Sequence, residues 1–281
     1  MTQPDIVPPA SPLLDTSLGE GLRIGLFDSG LGGLSVLRDL RQHMPLAQLL
    51  YVADSGNAPY GERDDAFIAG RALAISEFLL SQGAQVIVVA CNTATAMAVH
   101  TLRQRWPELP IVGVEPGVKP AVAVSVNKRI GVLATPGTLA SDKFKRLIEM
   151  HGQDALIVLQ PCPGLAKEIE AGHLDSPALR ALVETFSQPL REAQVDTVVL
   201  GCTHYPFVAP LFQQALGPKV RIIDTAQAVA RQTQRVSAEL PRLPRPDYKP
   251  TTQLWTSGSV SHLAQVADRW LDLKAQVSVF P

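Results

Sequence analysis

The feature that most constrains the fold is a set of four short apolar runs that occurs twice along the chain. Each run is rich in β-branched residues and is followed by a longer segment of helical periodicity, an alternation typical of parallel sheets covered by helices. Corresponding runs in the two halves are separated by roughly 110 residues. The predicted strands lie at 23–28, 49–54, 85–90 and 111–115, and again at 129–134, 155–160, 196–201 and 221–224. We therefore predict an α/β fold of two pseudo-symmetric domains with parallel sheets.

The segments outside the two repeats complete the predicted domain organisation. The first 22 residues are rich in Pro and Ser and lack the basic and apolar regions of a signal peptide, so we predict a disordered tail. After Asp224, a helical stretch and a Pro-rich connection at 241–250 lead to another strand at 252–256 and a last amphipathic helix. We expect this segment to rejoin the first domain. The predicted units are the tail 1–22, a first domain of 23–116 plus 229–281, and a second domain of 117–228.

Composition excludes several classes of protein. The 281 residues are 46% hydrophobic, enough for a substantial core, and the net charge of −1 gives no basic surface for nucleic acid. No apolar stretch approaches the ~18 residues of a membrane span. The three cysteines are odd in number and widely spaced, which fits neither a disulfide framework nor a metal site. We therefore expect a cytoplasmic protein with reduced thiols.

Two of the cysteines follow the third predicted strand of their respective halves. Ligands bind beyond the carboxyl ends of strands in open α/β sheets, so Cys91 and Cys202 lie where a site would form. Small polar residues accompany both sulfur atoms: Asn92, Thr93, Thr203 and His204. Such neighbours and helix N-terminal amides stabilise a thiolate or a bound anion. If the halves face each other, the two thiols do too, whereas Cys162, between two prolines, is interpreted as structural.

Two further loops carry candidate site residues. The first strand ends in Asp28 and Ser29, followed by a glycine-rich turn whose backbone could bind an anion. The spacing of the glycines in this turn is not that of a dinucleotide-binding site. Asp28 is either a site residue or a helix cap. The loop after the second strand contains Tyr60 and Gly61. Of the six histidines, only His204 lies beside a candidate base, where it could assist proton transfer.

Taken together, these motifs resemble the glutamate racemase family. The likeness runs in order and spacing from Arg23 onward, through IGLFDSGLGGLSV at 24–36, PYG at 59–61, CNTA at 91–94, GCTHYP at 201–206 and TSG at 256–258. The resemblance implies two α/β domains with the active site in the cleft between them. It also implies an isomerase that needs neither pyridoxal phosphate nor metal, and that supplies D-glutamate for peptidoglycan synthesis, cell wall biogenesis and cell shape.

Site residues follow from the resemblance position by position. Cys91 and Cys202 would transfer the proton, and Asp28 and His204 would each assist the nearer thiol. The residues implied to contact the substrate are Asp28, Ser29, Tyr60, Gly61, Asn92, Thr93, Thr203 and His204. The family also carries an acid that Glu170 resembles, but the flanking PGLAKE departs from the family pattern, and no role is assigned to it.

Other functions stay open at this point. An aspartate or hydantoin racemase would use the same scaffold, although His204 stands where aspartate racemases usually carry an acid. A hydrolase would use Cys202 as nucleophile and His204 as base, which predicts a trapped acyl-enzyme and leaves Cys91 without a role. A two-domain binding protein would bind a small molecule without turnover. The expected partner is glutamate, without nucleic acid or membrane, and a homodimer is considered as the assembly.

Overall fold

The computed structural model describes residues 21–152, 154–241 and 249–281. These ranges contain ten strands, eleven α-helices and three short 3₁₀ turns. The strands are β1 (Arg23–Asp28), β2 (Gln48–Ala53), β3 (Val86–Val89), β4 (Ile111–Gly113), β5 (Arg129–Ala134), β6 (Leu156–Pro161), β7 (Thr197–Leu200), β8 (Arg221–Ile223), β9 (Thr252–Thr256) and β10 (Gln276–Val279). The helices are α1 (Leu34–His43), α2 (Asp65–Ser81), α3 (Asn92–Arg105), α4 (Val118–Val124), α5 (Pro136–Ala140), α6 (Asp142–His151), α7 (Leu165–Glu170), α8 (Pro177–Glu192), α9 (Ala209–Leu216), α10 (Ala226–Ser237) and α11 (Val260–Leu271).

The strands form two parallel sheets. The first has the order β10-β9-β2-β1-β3-β4 and the second the order β6-β5-β7-β8, and every pairing is parallel. The order β2-β1-β3-β4 therefore repeats as β6-β5-β7-β8. This confirms the α/β fold and the duplicated four-strand unit predicted from the sequence.

Helices cover both faces of each sheet, which is why the central strands are continuous apolar runs. Along β3, Val86 and Val88 belong to a core shared with α1, α10 and α11, whereas Ile87 and Val89 belong to a core shared with α2 and α3. In the second sheet, β7 lies between a core with α7, α8 and α9 and a core with α4 and α6. Each fully buried aliphatic side chain contributes about 1.5–3 kcal/mol.

Side chains at helix N-termini set where several helices begin. Asp64 accepts a hydrogen bond from the backbone of α2, Ser176 from α8 and Ser259 from α11. Each cap supplies an acceptor for a first-turn N–H that has no partner within the helix. These caps fix the first residues of α2, α8 and α11.

One strand was not predicted from the sequence. The last predicted element is the helix that corresponds to α11, but β10 follows it and pairs with β9 at the edge of the first sheet. Its Val279 is 67% exposed, so the segment QVSV has no buried apolar run for a sequence pattern to detect. Its pairing depends instead on backbone hydrogen bonds, such as that from Phe280 N to the Thr256 carbonyl at 2.8 Å. Some of the predicted strands differ from the observed ones by one or two residues at their ends.

The C-terminal segment returns to the first sheet, where β9 pairs with β2 and α10 packs on α1. The predicted tail lies outside the described residues except for 21 and 22, of which Leu22 is buried in the first core. Residues 242–248 of the Pro-rich connection also lie outside them. The division into domains at 116, 117, 228 and 229 stays a prediction. Among the described helices, none has the length and apolar character needed to cross a membrane.

Candidate active site

The carboxyl ends of the two sheets face each other. Asp28 ends β1, and its carboxylate accepts a hydrogen bond of 2.9 Å from Thr203, which follows β7 of the other sheet. The Ser35 hydroxyl of α1 donates to the Thr203 carbonyl at 3.0 Å. The loop after β1 therefore contacts the loops of both cysteines, since Ser29 in the same loop hydrogen-bonds to Cys91.

Cys91 is the N-cap of α3. Its Sγ accepts a hydrogen bond from Ala94 N at 3.4 Å and donates to the Ser29 hydroxyl at 3.6 Å. Burial, with a smaller contribution from the negative charge of Asp28, raises the pKa of the Cys91 thiol to about 12. Cys91 is thus held as a thiol that can give up its proton only when a stronger base develops nearby.

Cys202 has a different environment. Its Sγ lies 3.5 Å from Nδ1 of His204, and the other ring nitrogen of His204 contacts the carboxylate of Glu170. Burial lowers the pKa of His204, but the Cys202 sulfur and the Glu170 carboxylate outweigh this effect and raise it well above the ordinary value. A protonated ring can donate through both nitrogens, so His204 can donate to the Cys202 sulfur and to the Glu170 carboxylate at once.

Asp28 lies between the two thiol environments. It is fully buried, accepts from Thr203 and from Gly30 N, and interacts electrostatically with Cys91 and His204. Burial raises the pKa of this carboxyl to about 6, although the positive charge of His204 acts in the opposite direction. Such a carboxyl can exchange a proton near neutral pH, as the predicted helper of Cys91 would need.

We expect Asp28→Asn to increase stability at neutral pH while lowering activity. Since folding raises the pKa of Asp28, its ionised form disfavours the folded state above pH 6, and asparagine removes that cost of about 1–3 kcal/mol. The advantage should shrink as the pH falls from about 6 to 4, because Asp28 then becomes protonated in the folded protein while the unfolded chain stays largely ionised. Urea unfolding of the wild type and of Asp28→Asn at pH 8 and pH 4.5 measures this difference in the free energy of unfolding. An equal difference at the two pH values would contradict the assignment.

The glycine-rich turn after β1 already binds an anion of the protein itself. Leu31 N donates to the Glu170 carboxylate at 2.5 Å, so the anion at this turn comes from the second half of the chain. A Cβ at Gly30 would overlap that carboxylate, and one at Gly32 would lie 2.5 Å from Nδ1 of His204. Glycine is therefore needed here for the close approach of the two halves.

The loop with Tyr60 and Gly61 is held by a buried carboxylate. Asp54 accepts hydrogen bonds from the Tyr60 hydroxyl at 2.5 Å, from both sides of the Arg71 guanidinium, and from Ser257. Burial raises the pKa of Asp54, but these donors outweigh it and leave the pKa below its ordinary value. The Tyr60 hydroxyl is thus engaged by Asp54 within the loop. A substrate at this loop would have to contact the backbone of Tyr60 and Gly61.

The first turn of α3 offers groups for a carboxylate. The Nδ2 of Asn92 is buried and has no hydrogen-bond partner among the described residues. The hydroxyl of Thr93 lies 3.2 Å from that of Thr135 and 3.3 Å from that of Thr138, both in the second four-strand unit. Thr93 also lines a cavity of about 520 Å³ together with Tyr60, Gly61 and residues of α5 and α6. The predicted substrate contacts therefore lie at the junction of the two sheets.

The structure adds residues to which the sequence alone assigned no role. Glu170 orients His204, Asp54 holds the Tyr60 loop, and Thr135 lies beside both Thr93 and Gly61. Glu170 had a signal in its resemblance to a family acid, whereas the position of Asp54 and Thr135 directly after strands β2 and β5 is the only signal that the sequence offers for them. Cys162 is buried with its Sγ donating to the Gln160 carbonyl at 3.4 Å. The described residues contain no group of three or more side chains suited to a metal ion.

Comparisons with known proteins identify the family of the chain. Residues 34–233 match the family described as Asp/Glu/Hydantoin racemase. The glutamate racemase of Ectopseudomonas mendocina is 49% identical over 257 residues, which cover 92% of this chain and 97% of that protein. Glutamate racemase isoform RacE1 of Bacillus anthracis superposes with a TM-score of 0.83 at 31% identity, over 93% of this chain and 98% of that one. The Escherichia coli glutamate racemase, solved with L-glutamate and the activator UDP-MurNAc-Ala, gives a TM-score of 0.81 at 29% identity, over 91% and 97% of the chains. The chain therefore belongs to the Asp/Glu/Hydantoin racemase family.

Proposed function

We propose that this chain interconverts L- and D-glutamate without a cofactor, by proton transfer between Cys91 and Cys202 on opposite faces of the substrate. Its relatives named glutamate racemase support the substrate, since one of them is 49% identical over 92% of this chain. The aspartate and hydantoin racemase alternatives are not favoured. The individual steps of the reaction rest on the geometry of this chain.

The observation that carries the mechanism is the different surroundings of the two sulfur atoms. Cys91 is a thiol whose pKa is raised to about 12, and Cys202 lies 3.5 Å from Nδ1 of His204, whose pKa is raised well above its ordinary value. A two-base racemase needs one base to remove the α-proton and one acid to supply a proton to the opposite face. In this arrangement the Cys202 thiolate removes the proton and the Cys91 thiol delivers one, after which the two cysteines have exchanged roles.

The substrate carboxylates have candidate partners on both sides of the cleft. The Nδ2 of Asn92, which has no partner in the described part of the chain, and the first-turn amides of α3 suit one carboxylate, because helix N-termini stabilise anions. Donors aimed at the α-carboxylate also stabilise the charge that develops there as the α-proton leaves. The backbone of Tyr60 and Gly61 and the hydroxyls of Thr93 and Thr203 complete the set. We propose that this set binds a dicarboxylic amino acid.

A hydrolase is a weaker candidate. Cys202, His204 and Glu170 lie in the order of a nucleophile, a base and the acid that orients it. That mechanism gives no role to Cys91, which has its own hydrogen bonds to Ser29 and Ala94. It predicts a trapped acyl-enzyme, which the racemase does not form.

The fate of the α-proton tests the proposal. In D₂O, starting from L-glutamate, the first D-glutamate formed should carry deuterium at the α-carbon, because the cysteine that removes the proton cannot deliver it to the opposite face. The remaining L-glutamate should stay largely protonated at low conversion, as long as return of the proton outpaces exchange with solvent. Mass spectrometry of the separated enantiomers measures both.

Two outcomes would contradict different parts of the proposal. If no D-glutamate forms, the proposal of glutamate racemase activity is wrong. Parallel reactions with L-aspartate would then test for aspartate racemase activity. D-Glutamate that keeps the original hydrogen would retain the function but would show a single base acting on both faces, so that the pairing of Cys91 with Cys202 would be wrong.

The proposed cellular role is supply of D-glutamate for peptidoglycan, and thereby support of cell wall biogenesis and cell shape. The proposed location is the cytoplasm, where thiols stay reduced. Both proposals rest on the relatives named glutamate racemase and on the need for two free cysteines. The homodimer stays a prediction.

A further inference from the structure

Side chains of α11 hold the turn that carries Glu170. Glu170 is the last residue of α7, and its backbone carbonyl accepts a hydrogen bond of 2.7 Å from Nε2 of His262. The carbonyl of Gly172, two residues further on, accepts one of 3.3 Å from Arg269. Terminal carbonyls of a helix have no partners within the helix. In this turn those partners come from 92 and 97 residues away.

Packing reinforces these hydrogen bonds. Gly172 has a φ of +82°, a conformation that favours glycine, and a Cβ there would lie 3.3 Å from Cε1 of the His262 ring. The ring therefore covers the turn closely. Because a carbonyl can only accept, Nε2 of His262 carries a proton. His262 thus fixes both the position and the hydrogen bonding of the Glu170 main chain.

The Glu170 side chain lies at the centre of the contacts between the two halves. Its carboxylate accepts from Leu31 N in the loop after β1 and contacts the His204 ring that faces Cys202. A continuous path therefore connects α11 to the sulfur atom: His262, Glu170, His204 and Cys202. The groups that face His204 in this region are Cys202, Glu170 and Asp28.

We propose that His262 is a positioning residue for the racemisation proposed above: by holding the main chain of Glu170, it keeps the Glu170 carboxylate against His204 and so keeps His204 oriented toward Cys202. This inference rests on the proposed function. It does not place His262 in contact with the substrate. It assigns to the C-terminal helix, outside the motifs CNTA and GCTHYP, a share in setting the state of Cys202.

The decisive comparison is His262→Gln with His262→Asn. The amide nitrogen of glutamine reaches about as far as Nε2 of histidine, whereas that of asparagine does not. We expect His262→Asn to lower kcat by about tenfold with little change in KM, because small displacements of catalytic groups are costly. His262→Gln should recover most of the loss. His43→Ala is the matched control, because His43 also contacts a helix carbonyl, that of Asp39 at 2.9 Å, but lies outside this path.

A second readout separates positioning from general damage. When Glu170 withdraws, the pKa of His204 should fall toward its ordinary value, so the alkaline limb of the kcat profile should move to lower pH in His262→Asn and return in His262→Gln. Imidazole NMR of His204, assigned with His204→Asn, follows the same titration without any turnover. Wild-type kcat and an unchanged His204 titration in His262→Asn would overturn the inference. If the wild-type protein is inactive, the proposed function is wrong. The NMR titration of His204 in His262→Asn would still show whether His262 positions Glu170 against His204.

Discussion

Replacing either Cys91 or Cys202 with alanine should abolish racemisation of glutamate in both directions. In the proposed mechanism each sulfur atom acts on its own face of the substrate, one as base and one as acid. Loss of a general acid or base costs about 10²–10⁴-fold, and loss of either here interrupts the whole transfer. Initial rates of D-glutamate formation from L-glutamate, and of the reverse reaction, measure the effect.

Cys162→Ala is the control within the same chain. Cys162 is buried like the other two cysteines, but its Sγ donates to a backbone carbonyl, that of Gln160, so most of the activity should remain. Partial variants carry an internal check. The enantiomers have equal free energy in water, so any residual kcat/KM must fall equally in the two directions. Near-normal turnover in Cys91→Ala or Cys202→Ala would remove that residue from the mechanism.

Gly32→Ala should lower kcat/KM by roughly 10²-fold or more, although the change adds only a methyl group. Its Cβ would lie 2.5 Å from Nδ1 of His204 and 2.6 Å from Oγ1 of Thr203, closer than real Cβ atoms approach other atoms. His204 and Thr203 must therefore move, which breaks the contact with Cys202 and the hydrogen bond to Asp28. Misplacement of groups held this tightly affects the reaction more than the fold.

Gly70→Ala separates this effect from that of adding a methyl group elsewhere. Gly70 lies inside α2, and a Cβ added there would have no described atom within 4 Å apart from its chain neighbours and the adjacent backbone of its own helix. Alanine at this position should leave activity unchanged and stabilise the helix by about 0.5–1 kcal/mol. Measurements of kcat/KM and of urea unfolding for both variants complete the test. Wild-type activity in Gly32→Ala would show that the working enzyme does not need the close contact of this turn with His204.

The sequence by itself determined the duplicated α/β unit and the place of the two cysteines. Strands buried on both faces need continuous apolar, β-branched runs, and β1, β3, β5 and β7 have them because helices cover both sides. Such runs are local and can be read directly. The carboxyl end of each run then locates Cys91 and Cys202, since parallel strands present their ends at one edge.

Strand β10 and the hydrogen bonds that converge on Asp54 could not be predicted from the same patterns. β10 is an exposed edge strand held by backbone hydrogen bonds, which leave no signature in the side chains. Asp54 accepts from Tyr60 and Arg71 nearby but also from Ser257, 203 residues away. A carboxylate after a strand is a common feature, and only its partners show that it holds the loop of Tyr60 and Gly61.

Only the tertiary structure decided the chemical state of the site. The sequence placed a polar residue beside each cysteine, but it could not separate a thiol at Cys91 from a sulfur facing a protonated His204 at Cys202. That difference depends on burial and on charges from distant segments: Asp28 lies 63 positions before Cys91, and Glu170 lies 34 before His204. Local sequence specifies which groups are present. Their pKa values and orientations follow from the electrostatic field and desolvation that arise when the two halves close on each other.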